Sequence, residues 1–135
     1  MIKTHASELV NNSLDITHRM YDLLFEKYPQ FSQMFQFAPK NQPVLLAEAL
    51  SSYAVNIDNL KIFRPALQVI AESHIRTEVK ASHYMMLGPV LIQAIAEVLG
   101  SKVPLAFIDA MREAYKYIAD VLIEMESEMY KAKIF

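Results

Sequence analysis

Cysteine is absent from the 135 residues, and glycine occurs only twice. The lack of cysteine excludes disulfides, thiolate metal sites, iron–sulfur clusters and thioether-attached cofactors. The scarcity of glycine, together with apolar residues at helical spacing, leaves little room for strands. The charge is also nearly balanced, with 13 basic and 15 acidic residues and a net charge of −2. The chain therefore has no basic surface of the kind that nucleic acids or anionic membranes require.

Targeting signals are missing as well. The first fifteen residues, MIKTHASELVNNSLD, contain no apolar segment of the kind found in a signal peptide. The most apolar stretch, YMMLGPVLIQAIAEVLG, is interrupted by Gln93 and Glu97 and is too short and polar to span a bilayer. We therefore expect a cytoplasmic protein without a membrane or nucleic-acid partner.

Apolar residues recur at the 3.6-residue helical period, and Pro and Gly mark where helices begin and end. The first helix has the stripe Leu14, Tyr21, Leu24 and Tyr28 and stops at Pro29. A short helix or turn carries Phe31 and Phe35, and a polar connector follows at Pro39. Pro43 lies at the start of a helix with the stripe Leu46, Leu50, Tyr53, Ile57 and Leu60.

The second half of the chain predicts three more helices. One begins near Pro65 and ends after His74. The next is capped by Ser82 and ended by Gly100, and the last follows Pro104. The sequence thus predicts one all-α domain, residues 1–135, with about six or seven helices. Periodicity does not separate a four-helix bundle from a globin-type sandwich, but the short pieces around His74 favour the sandwich.

Four histidines are present: His5 and His83 are expected to be solvated, and His18 is expected at the surface or the boundary of the core. His74 differs because it follows Leu67 and Ile70 on the apolar stripe of its helix. One interpretation is a buried histidine that hydrogen-bonds to a backbone carbonyl. The other is an axial ligand to haem iron, which requires a neutral imidazole in a dry cavity and an acceptor that orients it.

Glu126 lies on the inner side of the last helix, eleven residues or about three turns after Tyr115. A buried carboxylate needs a hydrogen-bond partner. The alternative is that Glu126 sits at the boundary of the core while its neighbour Glu124 is exposed.

The order of these residues resembles that of bacterial single-domain haemoglobins and the globin half of flavohaemoglobins. The resemblance runs from about residue 12 to residue 131 and rests on six short motifs in order. They are Tyr21, Phe35, the QP pair at 42–43 with Leu46, His74, the HY pair at 83–84, and AY with ADVLIEMESEMY in the last helix. It implies a globin fold, a 3-over-3 helical sandwich, and non-covalently bound haem b, and in comparison with the family the N-terminal helix is expected to be shortened.

The resemblance also implies a role for each matching residue. His74 matches the proximal ligand of the haem iron, and Tyr84 and Glu126 match the partners that polarise its imidazole. Tyr21 and Gln42 match the distal pair near bound ligand. The remaining haem contacts are apolar and match positions Phe35, Leu46, Ile70, Val79 and Leu87.

This sequence departs from the family pattern at several positions. Ser73 replaces the usual lysine before the proximal histidine, and Met111 stands where many members have tryptophan. Pro89 follows Gly88 instead of directly following Tyr84. The connector before Gln42 is shorter than usual, which would allow Gln42 to swing out of the pocket.

Three functions remain open at this point. The first is reversible, tight oxygen binding, and the second is nitric oxide dioxygenase activity with a separate reductase. The third is a haem-free, globin-like module in a regulatory assembly, although Phe35, His74, Tyr21 and Gln42 argue against it. The sequence does not distinguish a monomer from a homodimer.

Overall fold

The computed structural model describes residues 2–35 and 41–133, and the described chain is almost entirely helical. Its six α-helices are α1 (Ile2–Lys27), α2 (Phe31–Met34), α3 (Gln42–Val55), α4 (Arg64–Arg76), α5 (Ala81–Leu99) and α6 (Leu105–Lys133). Two short 3-10 turns cover Leu60–Phe63 and Gly100–Lys102. The prediction of an all-α chain with about six helices is confirmed. The connector at Pro39 lies outside the described residues.

Helix α1 is one continuous helix of 26 residues that begins at Ile2, well before Leu14, the first residue of the predicted stripe. It is uninterrupted because residues 2 to 27 contain neither proline nor glycine. Its buried stripe also differs from the predicted one: Leu14 is 42% exposed, whereas Ile16, Met20 and Leu24 are buried. Thr17 is buried with them, and its hydroxyl lies 3.0 Å from the carbonyl oxygens of both Leu14 and Pro43.

Two helix ends differ from the prediction. Helix α3 ends at Val55, so Ile57 and Leu60 lie beyond it; the Asn56 side chain donates to the Ser52 carbonyl at 3.0 Å and favours a turn there. Helix α5 begins at Ala81 and is not capped by Ser82. Its N-cap is Lys80, and the side chain of His83 completes the cap, because its Nδ1 accepts a hydrogen bond from the Lys80 amide at 2.8 Å.

The core forms two hydrophobic clusters that share no buried residue. The larger cluster joins α1, α3, α5 and the start of α6, and its fully buried members include Leu9, Ile16, Met20, Leu24, Ile95, Leu99 and Phe107. The smaller cluster joins α4 to the second half of α6 and includes Leu67, Ala71, Tyr84, Ile118, Leu122 and Met125. Tyr115 is partly buried and packs against both.

Helix α5 lies in the middle of the fold. The segment Ala81–Lys102 is long and apolar enough to cross a membrane by composition, but 44% of its most apolar window is buried inside the protein. Its packing against α1 and α6 accounts for that composition. Gly88 is required where α5 meets α6, because a Cβ atom there would lie 2.8 Å from Cε2 of Tyr115. Pro89 follows inside α5 without ending the helix.

Candidate functional site

The predicted site residues divide between the two clusters. Tyr21 is buried in the larger cluster, and Phe35, Leu46 and Leu87 are partly buried against it. Tyr84 is buried in the smaller cluster, and Ile70 and Val79 are partly buried against it. The predicted site residues thus come from both clusters, and most of them are only partly buried.

His74 lies at the edge of the buried stripe of α4. The fully buried stripe is Leu67, Ala71 and Ile75, and the His74 side chain is 31% exposed beside it. Its Nδ1 atom is 2.7 Å from the Tyr84 hydroxyl and 3.0 Å from Oε2 of Glu126. The interpretation as a histidine bonded to a backbone carbonyl is therefore wrong, since its partners are two side chains.

Glu126 is buried, with 3% of its surface exposed, so the boundary interpretation is wrong. The Tyr84 hydroxyl donates a hydrogen bond to Oε2 of Glu126 at 2.6 Å. Burial raises the pKa of Tyr84, and the hydrogen bond to Glu126 raises it further. Tyr84 therefore keeps its proton at neutral pH and acts as a donor to the carboxylate.

This triad of His74, Tyr84 and Glu126 determines which imidazole nitrogen carries the proton. The single hydroxyl hydrogen of Tyr84 is directed at Glu126, and the carboxylate can only accept. The contacts of Nδ1 with both oxygen atoms therefore require a hydrogen on Nδ1. The lone pair is then on Nε2, which has no hydrogen-bond partner among the described residues. A neutral imidazole with a free Nε2 and an oriented Nδ1–H is the donor that haem iron requires.

The residues present therefore fit a haem. Its iron would be held by Nε2 of His74, and its flat apolar ring would contact the partly buried side chains at the edges of both clusters. The position before His74 is occupied by Ser73, which is exposed and carries no charge for a propionate.

The two distal residues lie together at the N-terminal end of α3. Burial raises the pKa of Tyr21, and a hydrogen bond with the Gln42 side chain acts in the opposite direction. Gln42 thus reaches Tyr21 despite the short connector. The Tyr21 ring is 5.4 Å from the ring of Phe35, edge to face, and 5.8 Å from the ring of Phe25. These rings hold the phenol in place.

Other residues support the site without having been predicted to do so. The Tyr115 hydroxyl donates to the Tyr84 carbonyl at 2.7 Å, and the Tyr130 hydroxyl donates to the Val79 carbonyl at 2.7 Å. Tyr115 was predicted only to share the inner face of the last helix with Glu126 and to belong to the AY motif. A signal for Tyr130 was its spacing of four residues from Glu126, which places both on one helix face.

Two of the remaining histidines are less exposed than predicted. His5 is only partly exposed, and its ring centre lies 6.1 Å from that of Phe107. His18 is exposed as predicted, but His83 is only partly exposed. Its ring contacts the ring of Phe31 edge to face at 5.5 Å. Burial lowers the pKa of His83, and the charge of Lys80 lowers it further.

Comparison with known proteins agrees with this geometry. The family model Globin matches residues 18–122. A globin-like protein of Aquifex aeolicus whose function is uncharacterised is 41% identical over 132 residues, covering 96% of this chain and 92% of its own length. A flavohemoprotein of Rhodopirellula baltica is 33% identical over 134 residues, which cover 97% of this chain. This chain spans only 33% of that flavohemoprotein's length.

Solved structures show the same fold. An engineered carbene transferase from Rhodothermus marinus, described as a candidate nitric oxide dioxygenase, superposes with a TM-score of 0.89 and 33% identity. The alignment covers 99% of this chain and 94% of that one. A bacterial globin from Campylobacter jejuni has a TM-score of 0.83 and 32% identity over 96% of this chain and 94% of its own.

Proposed function

This chain belongs to the globin family, and from that premise we propose that it binds oxygen reversibly through a haem held by His74. Membership of the family implies haem; the iron ligand, haem b as the form of the cofactor and the preference for oxygen are parts of the proposal. The observation that carries it is the triad, in which Tyr84 and Glu126 leave Nε2 of His74 as the free nitrogen. Haem, when bound, supplies an iron that binds oxygen and can exchange one electron.

The distal residues account for the expected tight binding. Tyr21 keeps its phenolic hydrogen because burial raises its pKa, and Gln42 has amide hydrogens. Both can donate hydrogen bonds to a ligand that carries partial negative charge in a cleft of low polarity. A hydrogen bond of about 1.4 kcal/mol slows ligand loss roughly tenfold, and a charge-assisted bond slows it more.

The iron ligand is tested by absorption spectra of the purified, haem-reconstituted protein in its ferric, ferrous and carbonyl forms. We expect His74→Ala to lose haem or to show the spectrum of a changed axial ligand, because no other imidazole in residues 2–35 and 41–133 has its Nδ1 held by a phenol and a carboxylate. His18→Ala, at an exposed histidine, is the matched control and should give the wild-type spectra. An unaltered spectrum in His74→Ala excludes the assignment, and a wild-type protein without a Soret band supports the haem-free module instead.

Nitric oxide dioxygenase activity is the second candidate. The buried carboxylate of Glu126 favours it, because a carboxylate that accepts the Nδ1 hydrogen increases the electron donation of His74 to iron. Nitric oxide, one oxygen molecule and one electron give one nitrate ion, and a reductase must supply the electron. The Rhodothermus marinus protein described as a candidate nitric oxide dioxygenase has the same fold, which adds support.

Turnover with a reductase separates the two functions. Nitric oxide consumption over many turnovers with a cellular reductase fraction is the result that supports the dioxygenase. Consumption that stops after one turnover leaves oxygen binding alone. In the dioxygenase, Glu126→Gln should raise the iron reduction potential and slow turnover, because the neutral amide donates less electron density through His74.

A further inference from the structure

The turn after α4 contains a backbone conformation that is unfavourable for its residue. Glu78 has a φ of 59°, in the left-handed region where glycine is usual. The Val79 amide donates to the His74 carbonyl at 3.0 Å, and the Glu78 amide donates to the Ile75 carbonyl at 3.2 Å. This is the Schellman pattern of a helix end. A residue with a Cβ atom pays about 1–2 kcal/mol for this conformation, so the turn needs support from elsewhere.

That support comes from α6. The Tyr130 hydroxyl donates to the Val79 carbonyl at 2.7 Å, and the Lys80 ammonium lies 4.3 Å from the centre of the Tyr130 ring. Val79 therefore accepts from Tyr130 with its carbonyl while its amide donates to His74. Val79 thus connects the turn to both α4 and α6 through hydrogen bonds.

Tyr130 lies four residues after Glu126, which places the two side chains on the same face of α6. Glu126 contacts the imidazole of His74 directly, and Tyr130 reaches its backbone through Val79. Helix α6 thus holds position 74 at two points about one helical turn apart. One point fixes Nδ1 of the ring, and the other fixes the backbone from which the ring projects.

We propose that Tyr130 is a positioning residue for His74, and that its hydroxyl sets the direction of Nε2 by holding the turn at residues 77–80. Its effect on a bound haem rests on the proposed function. The effect on the turn and on the imidazole does not, since both are present without haem.

The test uses Tyr130→Phe, which removes only the hydroxyl. In the haem-free protein we expect the Val79 amide to exchange with solvent about tenfold faster, the change given by losing one hydrogen bond of about 1.4 kcal/mol. We also expect the ¹⁵N signal of His74 Nδ1 to shift, because its contact with Glu126 becomes less ordered. In the haem-loaded ferrous protein, the iron–imidazole stretching band should broaden.

Tyr117→Phe is the matched control, because Tyr117 lies on the same helix and is 38% exposed. A second variant tests the mechanism: glycine at position 78 removes the unfavourable conformation, so Glu78→Gly combined with Tyr130→Phe should restore slow exchange and the His74 signal. This double variant also serves if Tyr130→Phe alone does not fold.

Two results would overturn the proposal. One is a Tyr130→Phe protein whose Val79 exchange and His74 signal match those of Tyr117→Phe. The other is a double variant that folds but shows no restoration. A wild-type protein that binds no haem contradicts the proposed function, yet the haem-free measurements still decide the role of Tyr130.

Discussion

The two hydrophobic clusters stabilise their parts of the protein in different ways. The larger cluster is built from long helices in mutual contact, with many fully buried aliphatic side chains. The smaller cluster holds the short helix α4 mainly against α6. It also contains the triad, in which Tyr84 and Glu126 are buried and His74 is partly exposed, in addition to apolar contacts. Hydrogen bonds between side chains are directional, whereas apolar burial is not.

This difference indicates that one cluster provides most of the stability and the other holds the triad. Burial in the larger cluster supplies stability, and the smaller cluster has fewer apolar contacts to hold α4. Regions with few buried apolar contacts open locally at low free energy. A haem ligated by His74 would add contacts to α4, so we expect ligand binding to stabilise the smaller cluster more than the larger one.

The largest changes in stability are expected when one fully buried side chain of each cluster is replaced by alanine. Phe107→Ala in the larger cluster should reduce the free energy of unfolding by about 3–5 kcal/mol, because it removes a fully buried ring. Leu67→Ala in the smaller cluster should cost about 2–4 kcal/mol, mainly as local opening of α4. Urea unfolding measures the first effect, and amide exchange resolved by helix measures the second. Equal acceleration of exchange in α1 and α4 by Leu67→Ala would show that the clusters open together.

A smaller effect is expected where the clusters meet. Gly88→Ala places a Cβ atom 2.8 Å from the Tyr115 ring, which must move away from the Tyr84 carbonyl that its hydroxyl contacts at 2.7 Å. We expect a loss of about 1–2 kcal/mol, since the strain exceeds the gain in helix propensity. Thermal unfolding measures it. In a Tyr115→Ala background the same substitution should cost nothing, and a persisting cost would place the strain elsewhere.

The smallest effect concerns alkaline pH. Burial and Glu126 raise the pKa of Tyr84, so the folded protein keeps this proton while the unfolded chain loses it above about pH 10. The contribution is complete below pH 10 and is lost as pH rises, by about 1.4 kcal/mol per pH unit. Tyr84→Phe should make this decline shallower by that amount.

Denaturant unfolding measured between pH 9 and pH 11.5 tests this expectation. Tyr117→Phe is the control, because it removes the hydroxyl of a tyrosine that is 38% exposed in the folded protein. A pH slope that is the same in Tyr84→Phe and in the wild type would show that Tyr84 loses its proton equally readily in both states.

Much of the helical architecture was predictable from local signals. Pro43, Pro104 and Gly100 mark helix ends that the structure confirms, because the backbone limits of these residues act locally. The predictions of the α3 end and the α5 cap were wrong because both features depend on side-chain hydrogen bonds of Asn56 and His83. These hydrogen bonds outweighed the apolar spacing beyond Val55 and the capping preference of Ser82.

The site was predictable in part. Periodicity placed His74 on the apolar stripe of α4, whereas the structure has it at the edge of the buried stripe. The resemblance to bacterial haemoglobins paired it with Tyr84 and Glu126. Spacing alone could not show that the residues at 74 and 126 meet, because their contact joins two separate helices. Nor could it show that Tyr130 donates to the Val79 carbonyl, because every residue type has a backbone carbonyl and the residue at position 79 therefore does not indicate this hydrogen bond.

The position of Glu126 also has a consequence for biosynthesis. The carboxylate that orients His74 lies 52 residues later in the chain. At a synthesis rate of about 5–20 residues per second, the ribosome adds Glu126 roughly 3–10 seconds after His74. During that interval the nascent imidazole lacks the Glu126 carboxylate that selects its tautomer. On the proposed function, haem binding with the native proton arrangement would therefore follow the emergence of α6.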